Sequence, residues 1–259
     1  MFTLLKGGVR KARPRIMQFT EEKMLTVFFT EYGAHAGSLA ESLYPLLSPE
    51  RRRKASILTH PGRRAESVLA GRLFEKYASR MSGVSPADFT YKYGENGKPS
   101  LSFPDGFPAF SIAHTDGAAC VAFSGGAFPC GCDIEPAARE FSGAAGAKAI
   151  VSRFFSPGEA ALLENAPKEL FLKVFTAKEA HAKMTGRGIF EEISLDIIKS
   201  ADPLLFDAGD GSSFFRTVYK GYVISLCVGG ECGTVLKGPE AFPGPVVFAE
   251  IDAATLASF

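Results

Sequence analysis

Two short segments hold the side chains best suited to chemistry. The first is Gly131–Cys132–Asp133–Ile134–Glu135. Alternate residues of a strand face the same side, so Asp133 and Glu135 project together while Ile134 turns toward the core. Two carboxylates on one strand end repel unless a cation lies between them. Magnesium suits that place, being a hard ion that takes oxygen ligands; a solvated acidic strand edge is the plainer alternative. The second segment is Val174–Phe175–Thr176–Ala177–Lys178–Glu179–Ala180–His181–Ala182–Lys183, late in a run that reads as one helix over 168–185. Residues four apart share a helix face, which puts Phe175, Glu179 and Lys183 on one stripe with Lys178 beside it. Such a stripe serves either a metal–phosphate site or an ordinary surface ion pair, and the helix alone leaves both open.

Other candidates are weaker singly. His114 follows a strand and precedes a glycine turn, a loop-tip setting that suits function as well as a surface histidine. Lys98 sits on the rigid Gly97–Lys98–Pro99 turn. Arg51, Arg52, Arg53, Lys54, Arg63 and Arg64 form the densest basic cluster, which reads as a solvated helix face, a phosphate site or a patch for an acidic partner. No aromatic interleaving or known binding module accompanies it, so nucleic acid is not expected.

The elements that must position these residues alternate between strands and helices. A first strand is expected over 24–32, then a helical pattern ending near Leu47. Ser48–Pro49–Glu50 has the form of a helix start, with Ser as cap, Pro at the first helical position and an acid in the first turn. Pro61–Gly62 reads as a break before an amphipathic helix over 63–82. Strands follow near 109–113, 119–123 and 129–134, then a small-residue loop over 137–147 and a helix from Lys148. Ser156–Pro157–Gly158–Glu159 repeats the earlier helix start. Strands near 193–198, 213–218, 222–228 and 246–251 surround a glycine- and proline-rich loop over 229–245. A mixed α+β chain follows, with a basic, flexible tail over 1–20 and two similar halves over 21–125 and 126–259.

Composition bounds the rest. The chain has 259 residues, 46% hydrophobic and 22% charged, with a formal net charge of +1. That is the profile of a soluble globular protein, and any charged recognition surface must be local. No apolar run reaches the roughly 18 residues that suggest a membrane span. The five cysteines form no paired zinc pattern, and the odd count favours a reducing, cytoplasmic compartment. Lys6, Arg10, Lys11, Arg13 and Arg15 begin the chain without an intervening acid, but too short an apolar stretch follows for a signal peptide.

Taken in order, these segments resemble the 4′-phosphopantetheinyl transferases of the larger monomeric type, the surfactin-synthetase-activating group. The residues that carry the likeness are Gly131–Cys132–Asp133–Ile134–Glu135, then Phe154–Phe155–Ser156–Pro157–Gly158–Glu159, then Phe175–Thr176–Ala177–Lys178–Glu179–Ala180–His181–Ala182–Lys183. Gly97–Lys98–Pro99, the strand ending in Ala113–His114–Thr115 and Ser48–Pro49–Glu50–Arg51–Arg52–Arg53–Lys54 add to it. The resemblance implies two similar α/β halves related by a pseudo-two-fold, with the active site in the cleft between them. It implies transfer of the phosphopantetheine arm of coenzyme A to a serine of an acyl or peptidyl carrier protein, releasing 3′,5′-ADP, by a monomer without membrane partners. Magnesium would be held by Asp133, Glu135 and Glu179. Lys183 would neutralise the pyrophosphate, and Glu179 or a metal-bound water would take the serine proton. Arg51, Lys54, Arg64, Lys98, His114, Thr115 and Lys178 would contact the coenzyme. Phe175 stands where the family has tryptophan, and Ala113 where serine usually precedes the histidine. Those two changes support the other reading, a non-catalytic module that binds coenzyme A or a carrier.

Overall fold

The computed structural model describes residues 3–5, 25–33, 36–125, 128–139, 143–164, 166–189, 195–201, 204–229 and 246–258. They divide into two compact units: Met1–Gly94, Pro99–Ala127 and Gly244–Phe259 in the first, Glu95–Lys98 and Phe128–Pro243 in the second. The sequence reading kept the C-terminal segment with the second half. It belongs to the first because its strand β12 (Val246–Glu250) pairs in parallel with β2 (Leu25–Glu31). Thr3–Leu5, read as tail, form strand β1 on the other side of β12. The five N-terminal cations, Cys232 and most of the 229–245 loop lie outside the described residues.

The first unit is built on a sheet in the order β1-β12-β2-β6-β5, with β5 at Phe110–Thr115 and β6 at Ala118–Ser124. Helices α1 (Ala36–Leu43), α2 (Pro49–Ser56) and α3 (Pro61–Ser82) belong to the same unit, as does the hairpin of β3 (Thr90–Tyr93) and β4 (Pro99–Phe103). In a chain with 23 phenylalanines and no tryptophan, the core is filled by phenyl rings. Phe74 of α3 lies 4.2 Å from Phe110 and 5.8 Å from Phe123, centroid to centroid. Pro61 opens α3 and does not break the chain: His60 Nδ1 accepts from the Arg63 N–H at 3.3 Å, and Pro61 takes the first turn, where its missing N–H costs nothing. Gly83, at φ 71°, ends the helix in the left-handed conformation.

The second unit has a three-stranded antiparallel sheet in the order β10-β11-β7, with β7 at Cys130–Pro136, β10 at Ser213–Tyr219 and β11 at Tyr222–Val228. Its helices are α4 (Gly143–Phe154), α5 (Pro157–Leu163) and α6 (Lys168–Thr185), and β8 (Ile198–Ala201) pairs with β9 (Leu204–Phe206). Helix α4 begins inside the stretch expected as a loop. Its alanines have the best intrinsic helix propensity, yet they carry no large apolar side chain from which a period could be read. Each unit thus runs strand, helix, Ser-Pro-capped helix, long helix, two-stranded hairpin and antiparallel pair. The pairing order also recurs, β2-β6-β5 in the first and β7-β11-β10 in the second. Among the described residues no helix is long and apolar enough to cross a membrane.

The first unit fastens its own C-terminal helix, α7 (Ala253–Ala257), to α3. Arg72, almost wholly buried, donates from Nε to the Leu256 carbonyl at 3.1 Å and from Nη2 to that of Ser258 at 3.3 Å. Lys76 Nζ donates to the same Ser258 carbonyl. Burial, with Arg80 and Arg72 nearby, pulls the Lys76 ammonium from 10.5 down to about 8. Between those values the unfolded chain binds more protons than the folded one, so this group makes stability rise with pH across that window. Lys76→Met should remove that part of the rise, read as the difference between urea midpoints at pH 7.5 and 9.5 by far-UV circular dichroism.

Candidate active site

The site in the second unit depends on how closely β7 approaches α6. A Cβ on Gly131 would run into the Ala180 carbonyl oxygen and the Met184 backbone nitrogen. Only glycine permits this contact, and it brings the strand's next same-side residues, Asp133 and Glu135, over the helix. Thr176 of α6 and Ser225 of β11 share a hydrogen bond of 2.7 Å across the same interface, and Ser225 is the register partner of Asp133. Helix α6 buries Leu172, Val174, Ala177 and Ala180 while leaving Phe175, Glu179 and Lys183 half-buried, which is the stripe expected from spacing.

Lys183 Nζ donates to Asp133 Oδ1 at 2.6 Å. The other oxygen, Asp133 Oδ2, is buried with no hydrogen-bond partner. Burial, then the charge of Asp133, pushes the Glu179 carboxyl up to about 7; Lys183 opposes this and Glu135 adds to it. Burial alone would lower Lys183, but Asp133, with Cys132 and Glu179, more than offsets it and holds the ammonium above its ordinary range. Glu135 pairs with Arg139. Asp133 and Glu135 thus each pair with a cation, while the charges of both act on Glu179. Among the described residues no three His, Cys, Asp or Glu side chains are drawn together as a ready-made metal cluster. The chemistry of the donors still fits a hard divalent cation: all are oxygens, one is buried and unpartnered, and their mutual repulsion is what such an ion relieves.

Two lysines take other places than the sequence suggested. Lys178 is a correction. It is fully buried, ion-paired with the fully buried Glu159, and donates to the Leu195 carbonyl at 3.1 Å. Glu159 in turn accepts from the Ile197 N–H at 2.8 Å and completes the capping box of α5 with Ser156. One residue on from Lys178 the helix has turned by about 100°, so Lys178 serves the core while Glu179 serves the surface. Lys98 donates to the carbonyl of Cys130 on β7 and to that of Met184 at the C-terminal end of α6, where a cation favours the helix dipole. Phe175 stacks on Phe171, 6.1 Å between centroids, against the helical core of this unit.

The remaining candidates lie in the first unit. Arg51 is 7% exposed, and its guanidinium carbon stands 5.4 Å from the ring centroids of both Phe74 and Tyr91. Its Nε and Nη2 are buried without hydrogen-bond partners. Lys54 Nζ is 5.4 Å from the Tyr93 centroid. Arg64 is exposed over Tyr44, and His114 Nδ1 lies 3.1 Å from Glu66 Oε2. The Thr115 carbonyl accepts from the Tyr32 hydroxyl at 2.9 Å. Sequence reasoning missed Tyr91, Tyr93 and Glu75. The period-two spacing of the two tyrosines on β3 was the available signal.

Residues 129–227 match the family model of the 4′-phosphopantetheinyl transferase superfamily. The chain is 27% identical over 166 residues to 4′-phosphopantetheinyl transferase HetI of Nostoc sp., an alignment covering 61% of this chain and 68% of the relative. It is 30% identical over 182 residues to the L-aminoadipate-semialdehyde dehydrogenase-phosphopantetheinyl transferase of Eremothecium gossypii, covering 62% of this chain and 63% of the relative. These matches make the chain similar to phosphopantetheinyl transferases, over part of its length. The match to the family model contains the whole of β7, α5 and α6, and so every residue of the Asp133–Glu179–Lys183 group.

Two substitutions test this architecture. Gly131→Ala should lower stability by about 1–3 kcal/mol, since the backbone it meets has little room to give, and should shift the urea midpoint seen by circular dichroism. Lys178→Met should cost about 3–5 kcal/mol by leaving Glu159 buried and uncompensated. Adding Glu159→Gln should recover part of that loss in the same measurement.

Proposed function

We propose that the chain transfers the 4′-phosphopantetheine arm of coenzyme A to a serine of an acyl or peptidyl carrier protein, with magnesium and with release of 3′,5′-ADP. The observation that carries this reading is the buried, unpartnered Asp133 Oδ2 beside Lys183 and Glu179. Asp133, Glu135 and Glu179 would hold magnesium. Its charge, when bound, would neutralise the coenzyme's pyrophosphate.

The protein's own residues have three tasks. Lys183 leaves Asp133 to balance the charge that gathers on the departing 3′,5′-ADP. Glu179 accepts the serine proton as the serine Oγ–phosphorus bond forms and the phosphorus–oxygen bond to 3′,5′-ADP breaks. Arg51 and Lys54, with Arg64, His114 and Thr115, hold the nucleotide's phosphates and ribose. Lys98 keeps one N–H for phosphate beyond the two backbone carbonyls it touches. Phosphoryl transfer of this kind asks a protein for position and charge more than for covalent help. In this reading the enzyme is a cytoplasmic monomer, as the resemblance to the larger type implies.

The test is modification of a panel of purified carrier proteins with coenzyme A and magnesium, read by mass spectrometry. The expected outcome is a gain of one phosphopantetheine arm on at least one carrier. Glu179→Ala and Asp133→Asn should each cut the rate by roughly 10²–10³-fold. Coenzyme A binding without mass gain on any carrier would replace transfer with the binding-module reading.

A further inference from the structure

Arg51 and Lys54 pose a question that their charge alone does not answer. Both stand near carboxylates, yet neither forms an ion pair with one among the described residues. Glu75, on α3, is fully buried. Its Oε2 accepts from the Ser48 N–H at 2.9 Å and its Oε1 from the Tyr91 hydroxyl at 2.8 Å. Glu50 accepts from Arg53 Nη2 at 2.7 Å and Nε at 3.1 Å, and from the Tyr93 hydroxyl at 3.0 Å. Each acid is thus satisfied by a tyrosine and one further residue.

The same tyrosines wall the cations. Tyr91 and Tyr93 stack with their centroids 6.3 Å apart, and each ring faces a cation, Arg51 or Lys54. The Arg51 stem packs over Gly71, where a Cβ would meet Arg51 Cδ at an ordinary contact distance of 3.5 Å. Cation–π attraction offsets part of the cost of burying a guanidinium, without consuming its N–H donors. Burial, and then the charge of Arg51, lowers Lys54, and Glu50 only partly opposes the shift.

We propose that Tyr91 and Tyr93 are positioning residues that hold Glu75 and Glu50 away from Arg51 and Lys54, keeping both cations available for a phosphate monoester. The proposal rests on the reading above, in which this cluster takes phosphate of coenzyme A; the arrangement of the tyrosines is what it adds. Removing the Tyr91 hydroxyl frees Glu75 Oε1, and the carboxylate can then pair with Arg51 in competition with phosphate.

Isothermal titration of the full chain with coenzyme A and with 3′,5′-ADP tests this. Tyr91→Phe keeps the ring and should weaken both ligands by about tenfold, the equivalent of ~1.4 kcal/mol, with the loss in turnover assays falling on KM and not on kcat. Adding Glu75→Gln should restore most of the affinity, because a neutral amide cannot neutralise Arg51. A purely structural hydroxyl predicts no rescue. Tyr93→Phe, at a half-exposed position that tolerates change, should weaken binding by about threefold through Glu50. Unchanged affinity in Tyr91→Phe and Tyr93→Phe, or a double variant no better than Tyr91→Phe alone, overturns the proposal. Arg51→Ala separates it from the reading beneath: if that variant loses affinity while the tyrosine variants do not, only the tyrosine assignment fails. If Arg51→Ala binds normally, the assignment of the cluster to coenzyme A fails and the proposal goes with it.

Discussion

The approach of β7 to α6, which a single missing Cβ allows, governs the second unit. Gly131 lies against the backbone at Ala180 and Met184, and the two-residue strand period then carries Asp133 and Glu135 along the same helix face. The helix answers at its own period: Glu179 and Lys183 are one turn apart, Lys183 meets Asp133, and the charges of Asp133 and Glu135 act on Glu179. Neither element holds a site alone. The glycine sets the separation, and the separation lets Lys183 reach Asp133 at 2.6 Å without leaving the helix surface.

Electrostatics then sorts the lysines of α6 by where the helix turns them. Lys178 faces inward and is neutralised completely, by Glu159 and a backbone carbonyl. Such a pair contributes little net stability for its burial, but breaking it is costly, so it acts as a rigid joint between α5 and α6. Lys183 faces the carboxylate group and compensates only part of it, leaving one Asp133 oxygen with no partner. An incompletely balanced, partly buried group of acids is poor for stability and suited to a cationic or phosphorylated ligand. The complete pair holds the helix in place so that the incomplete one can exist.

Much of this was legible in the sequence. The α6 limits, the Ser-Pro helix starts and the shared face of Asp133 and Glu135 follow from local periods and capping chemistry, and the structure has each of them. What was not legible is what depends on partners distant in sequence. Nothing near Lys178 marks Glu159 as its counter-ion. The return of β12 to the first unit is a parallel pairing between strands more than 200 residues apart, which no local pattern encodes. The break expected at Pro61–Gly62 falls just before them, between Ser56 and Pro61, because His60 caps α3 and Pro61 takes its first turn. Arg51 was visible as one cation among six, but its sandwich between Phe74 and Tyr91 arises only from tertiary packing.

The recurrence of one topology in both units sharpens the distinction between fold and chemistry. Each unit places a long helix after a Ser-Pro-capped short one and returns through a hairpin to an antiparallel pair. In the second unit this frame displays carboxylates from the strand equivalent to β2. In the first, β2 carries a single acid, Glu31, at its exposed last position, and the short helix supplies cations instead. The frame therefore fixes where charge can be shown, while a few substitutions decide its sign. Fold alone would not have told these two surfaces apart; the buried donors left unpaired on Arg51 and the buried acceptor left unpaired on Asp133 do.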